Sequence, residues 1–275
     1  MDKIKKILVP FDFSEPSQQG LRYAINFAGH RPGIHLRICF IADQGSEEKF
    51  EKTFVAIKEE LGKGFRARIS WMSLLPGSVE GLLEVSKAEK PDMVIMGTSG
   101  SNDPEVTTKT SQMVLSSDCP VLVVPDGTVE EFNLSKIALV LGQNEIDDPS
   151  NLFALLDVAR SFNASVTVLT IENKPGTYGY SEEEERNERL LEYYLESFYS
   201  HHTYIPNEDM VEGIFSYVET HDIDMIAIFP RRHVRKGTPS EGKLTRILTL
   251  QSRTPLLAIE HESRKSRGTM DQLPG

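Results

Sequence analysis

The chain repeats itself. "SVEGLLEVSKAEKPDMVIMG" (78–97) and "MVEGIFSYVETHDIDMIAIF" (210–229) share a Val-Glu-Gly triplet, an acidic-to-apolar rhythm and an Asp-Met pair before an apolar run, at an offset of 132 residues. "KILVPFD" (6–12) is echoed by "KIALVLG" (136–142), and "CPVLVV" (119–124) by "TPLLAI" (254–259), at offsets of 130 and 135. Small loop insertions produce this kind of drift. A chain of 275 residues has room for two domains of ordinary size. The boundaries read as 1–128 and 133–261, joined near "DGTVEEFN" (126–133), with a polar tail, 262–275, expected to be disordered.

Each half alternates short apolar runs with longer periodic ones. In the first half "KILV", "HLRICFI", "RISWMS", "DMVIM" and "VLVV" read as strands. Between them Leu21, Ala24, Ile25 and Ala28 fall at i, i+3, i+4 and i+7, the stripe of an amphipathic helix. Phe50, Phe54, Ile57 and Leu61 form a second stripe, and Val79, Leu82 and Leu83 a third. Nearly all-apolar strands alternating with helices predict an α/β fold, each half a five-stranded, mostly parallel sheet covered on both faces. Such sheets bind ligands beyond the carboxyl ends of their strands. In the second half Asp148-Pro149 is expected to open a helix carrying Leu152, Leu155, Leu156 and Ala159. "SEEEERNERLLEYYLESFYSHH" (181–202) reads as a further helix, with Ser181 and Glu184 spaced as a capping box and Leu191, Tyr194, Leu195, Phe198 and Tyr199 as its stripe. Its acidic run is a solvated first turn rather than a metal site, because consecutive residues do not converge on one point.

Composition removes several functions. A net charge of −11 repels a phosphate backbone, so nucleic acid is not an expected partner. No apolar run approaches the roughly 20 residues of a membrane span. The apolar run near the start is shorter than the roughly 7 to 15 residues of a signal peptide, which predicts a cytoplasmic protein. Cys39 and Cys119 are too few for a disulfide framework or a metal quartet and read as buried thiols. His201 and His202 lack partners at metal-ligating spacing, and Trp71 fits a core strand. No nucleophile elbow or P-loop is present, so no catalytic residue is expected.

One stretch could bind a ligand: "PDMVIMGTSGSNDPEVTTKTSQMVL" (91–115). An apolar strand stops at Gly97, Gly100 follows, and Thr110 and Ser111 fall at a helix start. Glycines at a strand end let backbone approach a ligand closely, and the free N–H groups of a helix start attract phosphate oxygens. Asp12, just past the first strand, lies at the same edge and could accept ribose hydroxyls. The same pattern also fits a plain strand-to-helix turn.

"KILVPFDFSEPSQQGLRYAINFA", "MGTSG" and "CPVLVVP" resemble the universal stress protein family, and two copies in one chain resemble its tandem form. The resemblance is strong over 1–126 and weaker over 133–260. ATP-binding members of the family carry Gly-2x-Gly-9x-Gly-[Ser/Thr]. The resemblance implies that Gly97 and Gly100 match the glycine pair, Ser111 the hydroxyl, Asp12 the acidic residue near the ribose and Ile41 the position whose backbone meets adenine, with Pro10 and Thr110 also among the binding residues. It implies ATP, with Mg²⁺, in the first half. Thr110 stands where the third glycine belongs. If that position needs φ > 0, its β-branch costs about 1–2 kcal/mol. Asp103 and Glu105 add negative charge that Lys109 offsets in part. In the second half Gly142 replaces the aspartate, and Phe229 and Arg232 align with Gly97 and Gly100, so that half is expected to have lost the site. The family's role implies a stress-response or signalling module acting by binding, its halves packed together, with protein partners and a homodimer as the expected assemblies. The rival readings are a nucleotide-free adaptor and a slow ATP hydrolase.

Overall fold

A computed structural model describes residues 4–29, 31–41, 47–61, 65–74, 78–101, 103, 106–127, 132–141, 152–172, 182–206, 209–229 and 240–259. Structural statements below concern those residues. The first half runs β1 (Lys6–Phe11), α1 (Glu15–Ala28), β2 (His35–Ile41), α2 (Glu47–Leu61), β3 (Arg68–Leu74), α3 (Val79–Glu89), β4 (Met93–Thr98), α4 (Lys109–Ser116) and β5 (Val121–Pro125). The second runs β6 (Lys136–Val140), α5 (Phe153–Phe162), β7 (Ser165–Glu172), α6 (Glu182–Leu195), β8 (Tyr199–Pro206), α7 (Met210–Thr220), β9 (Met225–Ile228), α8 (Ser240–Gln251) and β10 (Leu256–Ala258).

The halves share one sheet of ten strands, ordered β3-β2-β1-β4-β5-β10-β9-β6-β7-β8. The order reads as a five-strand unit followed by its mirror image. Every pairing is parallel except the central one, where Val123, Leu122 and Val121 of β5 lie antiparallel to Leu256, Leu257 and Ala258 of β10. Both expected five-stranded, mostly parallel units are present, and they do not stay separate sheets. Instead the short apolar strands "VLVV" and "LLAI" cover each other's edges and merge the sheets.

Alternate strand residues go to opposite faces. Ile7, Val9, Met93, Ile95 and Leu122 join a core that also takes Leu21, Phe27, Phe50, Leu155 and Leu191, so α1, α2, α5 and α6 cover this face. Leu8, Val94, Met96, Val121 and Val123 join the other core with Leu82, Met113, Ile214 and Leu248, from α3, α4, α7 and α8. This is why the central strands are apolar throughout rather than alternating.

The recurring Asp-Met pair has a structural cause. Asp92, before β4, accepts the Lys5 and Lys6 amides at 2.8 Å and 2.8 Å. Asp224, before β9, accepts the Ser135 and Lys136 amides at 2.8 Å and 2.9 Å. Lys6 Nζ donates to the Glu89 carbonyl at 2.6 Å, and Lys136 Nζ to the His221 carbonyl at 2.9 Å. In each half, then, a carboxylate and a lysine pin the amino ends of two neighbouring strands.

One expectation fails. The helix read over 181–202 ends at Leu195, passes through a 3₁₀ turn at Glu196–Phe198, and becomes β8. Glu196 takes φ 53°, which no helix continues through. Pairing with β7 then decides the state, with His202 opposite Val168 and Tyr204 opposite Thr170. His201 and His202 therefore lie on a strand; the His202 ring stacks on Tyr204 at 4.2 Å and its Nε2 meets Thr170 Oγ1 at 3.0 Å. The expected opening at Asp148-Pro149 and the Ser181 cap lie outside the described residues, as does the tail beyond 259. Among the described residues no helix is long and apolar enough to cross a membrane.

Candidate functional site

The candidate residues gather at the carboxyl edge of the first half, where β1 and β4 end and α4 begins. Pro10 is buried inside β1, opposite Cys39, and Ile41 closes β2 opposite Leu74. Cys39 is buried and its thiol is pushed up to about 11 by desolvation, so it stays protonated. Asp12 follows β1, and its Oδ1 accepts both the amide and the hydroxyl of Ser14, the N-cap of α1. Burial raises the Asp12 pKa, but the bonds from Ser14 and Ser17 and the charge of Lys109 outweigh it and hold the carboxyl below its ordinary value of 3.8. Asp12 is thus ionised, close to the start of α4, and engaged in capping α1.

Both glycines are explained by the protein's own backbone. A Cβ on Gly97 would lie 1.7 Å from the Pro16 carbonyl oxygen, and one on Gly20 would lie 2.5 Å from the Gly97 nitrogen. Helix α1 therefore rests directly on β4, glycine against glycine. Gly100 has φ 68°, and a Cβ there would lie 2.5 Å from the carbonyl oxygen of Leu250, in α8 of the second half. Ser101 donates its amide to that same oxygen at 2.8 Å.

The amides that follow are also used. Gly100 donates to Thr98 Oγ1 at 3.1 Å, and Asp103 to Ser101 Oγ at 3.1 Å. At the start of α4, Thr108 is the N-cap, accepting from the Ser111 amide, while Ser111 Oγ accepts from the Thr108 amide at 3.0 Å. The Ser111 hydroxyl, only 1% exposed, donates onward to the Thr108 carbonyl at 3.0 Å. Ser111 thus takes part in a reciprocal cap with Thr108, for which the hydroxyls of "TTKTS" are correctly spaced. For Thr110 the condition φ > 0 does not hold. Thr110 is the second residue of α4, buried, absent from the positions with φ > 0, and its hydroxyl points to the Gly97 carbonyl at 3.5 Å. Its β-branch therefore strains no left-handed turn. Glu105 lies outside the described residues.

Two further residues shape this edge without any signal in the sequence. Leu250 acts through its carbonyl, which no side-chain pattern announces. Phe13 takes φ 65°, a conformation rare for a bulky side chain. Its ring meets Phe11 and Phe40 at 5.1 Å and 5.4 Å, edge-on, and Lys49 Nζ lies 4.2 Å above it. Phe50, fully buried and stacked on Phe40 at 4.4 Å, completes a ring cluster with Phe11 and Phe13 at the end of β1. In the second half Phe229 is half-buried against the core, while Gly142 and Arg232 lie outside the described residues. Among the described residues no group of three His, Cys, Asp or Glu side chains could hold a metal ion.

The universal stress protein family model matches residues 3–68. No curated protein matches the chain in sequence. Among solved structures, a universal stress protein from Archaeoglobus fulgidus DSM 4304 superimposes with a TM-score of 0.71 at 15% identity, covering 95% of this chain and 100% of that one. A putative universal stress protein from Pseudomonas aeruginosa UCBPP-PA14 gives 0.61 at 13% identity, covering 94% and 93%. The cytoplasmic domain of a prokaryotic cation chloride cotransporter gives 0.58 at 10% identity, covering 94% and 96%, so the doubled fold also serves a transporter. The chain carries the universal stress protein family match over residues 3–68 and, over 95% of its length, the fold of a solved universal stress protein.

Proposed function

We propose that this protein is a cytoplasmic stress-response or signalling module that acts by binding protein partners, without turnover and without a nucleotide in its first half. One observation carries the reading: Gly97 and Gly100 are each filled by the protein's own carbonyl groups, those of Pro16 and Leu250. The glycines that would let a phosphate approach are used to seat α1 on β4 and α8 on the β4–α4 loop. The reciprocal cap of Thr108 and Ser111 and the ring-packed end of β1 point the same way.

A second reading keeps an adenine nucleotide, ATP with Mg²⁺, in the first half alone. It is favoured by Asp12, held ionised at this edge beside Lys109. Mass spectrometry of small molecules released from the purified, acid-denatured protein decides between the two. The expected result is no adenine nucleotide, with no binding heat in an ATP and Mg²⁺ titration at ~1 mM ligand, a Kd beyond the range of ordinary nucleotide sites. One mole of nucleotide per chain would overturn the adaptor reading, and phosphate release on incubation would instate a hydrolase.

A further inference from the structure

Strand β3 is the outermost strand of the first half, with β2 as its only neighbour in the sheet, and none of its residues is fully buried. Two side chains of β2 grip it. Arg37 Nη1 donates to Ser70 Oγ at 3.1 Å and to the Trp71 carbonyl at 3.0 Å. His35 Nε2 lies 2.6 Å from the same Ser70 oxygen.

A serine hydroxyl has one proton, and among the described residues Ser70 has one acceptor for it, His35 Nε2. The hydrogen bonds therefore run from Arg37 to Ser70 to His35, with the imidazole neutral and its own proton on Nδ1. Protonation of Nε2 turns that acceptor into a donor. Ser70 Oγ then faces two cations, and its proton loses its partner. The cluster is already short of acceptors. Arg37 Nε is buried without a hydrogen bond, 4.0 Å from a Glu89 oxygen that Lys6 Nζ holds at 2.6 Å.

The charged groups acting on the ring are Arg68 of β3, Arg37 of β2, Lys6 of β1 and Glu89 at the end of α3. Burial first, and then the three cations, hold the imidazole below its ordinary value of 6.5, while Glu89 acts the other way. His35 is thus neutral in the folded protein near neutral pH, and it takes a proton more readily once β3 has moved away.

We propose that His35 is an acid-operated release for β3: its protonation frees Ser70 and Trp71 from β2 while the inner strands stay paired. The folded value is depressed, so the contribution to stability is fully present above 6.5 and is lost as the pH falls from there through the folded value. One proton per opening allows a rise of at most about tenfold per pH unit. The device sits at the amino end of β2, away from the Gly97–Gly100 edge, so it stands or falls independently of the nucleotide question.

Trp71 is the only tryptophan of the chain, and its ring lies 4.9 Å from that of Phe50, so its fluorescence reports on β3. The test follows Trp71 emission and amide hydrogen exchange of β3 in the full chain at about one pH unit above and below 6.5, with exchange corrected for its intrinsic pH dependence. Opening of β3 is expected to rise by about three- to tenfold across that range, with β1 and β4 unchanged. His35→Gln, whose neutral amide keeps an acceptor for the Ser70 hydroxyl, is expected to abolish the response. Ser70→Ala, which removes the β3 side chain bonded to the ring, is expected to reduce it by at least half. A flat response in the unaltered chain, a rise shared equally by β1 and β4, or a full response in either variant would each overturn the proposal. Should His35→Gln fail to fold, Ser70→Ala decides.

Discussion

A methyl group on Gly97 would overlap the Pro16 carbonyl oxygen at 1.7 Å, and that oxygen belongs to backbone that cannot swing aside. Gly97→Ala is therefore expected to lift α1 from β4 and cost about 3 kcal/mol or more, read from denaturant unfolding. Thr110→Gly should act in the opposite sense to a relieved turn. Thr110 is helical and buried, so losing its side chain and placing glycine in α4 should destabilise by ~1–2 kcal/mol and leave ATP affinity unimproved. A Thr110→Gly protein that binds ATP more tightly would sink this account of the loop. Asp12 gives a pH signature. Its folded pKa is lowered, so its contribution is present above the unfolded value and lost as pH falls below 3.8 and through the folded value. Asp12→Asn should flatten acid unfolding in that window and leave stability above pH ~6 only slightly lower, by the size of one exposed hydrogen bond.

At the scale of elements, the strand ends and helix caps carry most of the specification. Lys90 closes α3 in the left-handed conformation, φ 47° and ψ 58°, with its amide on the Ser86 carbonyl at 2.9 Å. Lys90→Gly should stabilise by about 0.5–1 kcal/mol, seen as a higher urea midpoint at unchanged slope. Asp92 and Asp224 pin equivalent strand pairs, so Asp92→Ala and Asp224→Ala should each lose about 1 kcal/mol and add in the double variant. Buried parallel strands are locally written, as runs such as "KILVPF" and "DMVIMG", and that is why the strands of the sheet are legible in the sequence. Residues 199–202 are not legible there, because continuation of the α6 stripe and pairing with β7 compete and only the tertiary contact decides. The candidate site is legible as a place and not as a chemistry. Asp12, Gly97, Gly100 and Ser111 do belong to one edge. The atoms that claim the glycines, the Pro16 and Leu250 carbonyls, lie far away along the chain and carry no side-chain signature.

The whole molecule is organised about a single antiparallel seam. Each five-strand unit ends at a strand, β5 or β10, whose outer backbone edge is paired by the other. The seam is reinforced by Ser101 donating to Leu250 and by contact between α4 and α8. Cutting the chain after residue 128 removes all of this at once and leaves Val121, Leu122 and Val123 as an apolar edge with unpaired amides and carbonyls. Such an edge templates the addition of another strand. The replacement at hand is a second copy of the fragment, because β10 echoes β5 and the two already meet antiparallel, as two copies related by a twofold axis would. Residues 1–128 alone are therefore expected to dimerise through β5 or to precipitate, and sedimentation of the purified fragment at micromolar concentration checks this. Placing lysine at Leu122 of the fragment should block the pairing at the cost of burying a charge, so that variant is expected to lose its fold rather than become a good monomer. A stable, soluble, cooperatively unfolding monomer of residues 1–128 would show that each half is complete alone. The ten-stranded sheet would then be a juxtaposition of two finished domains rather than one shared core.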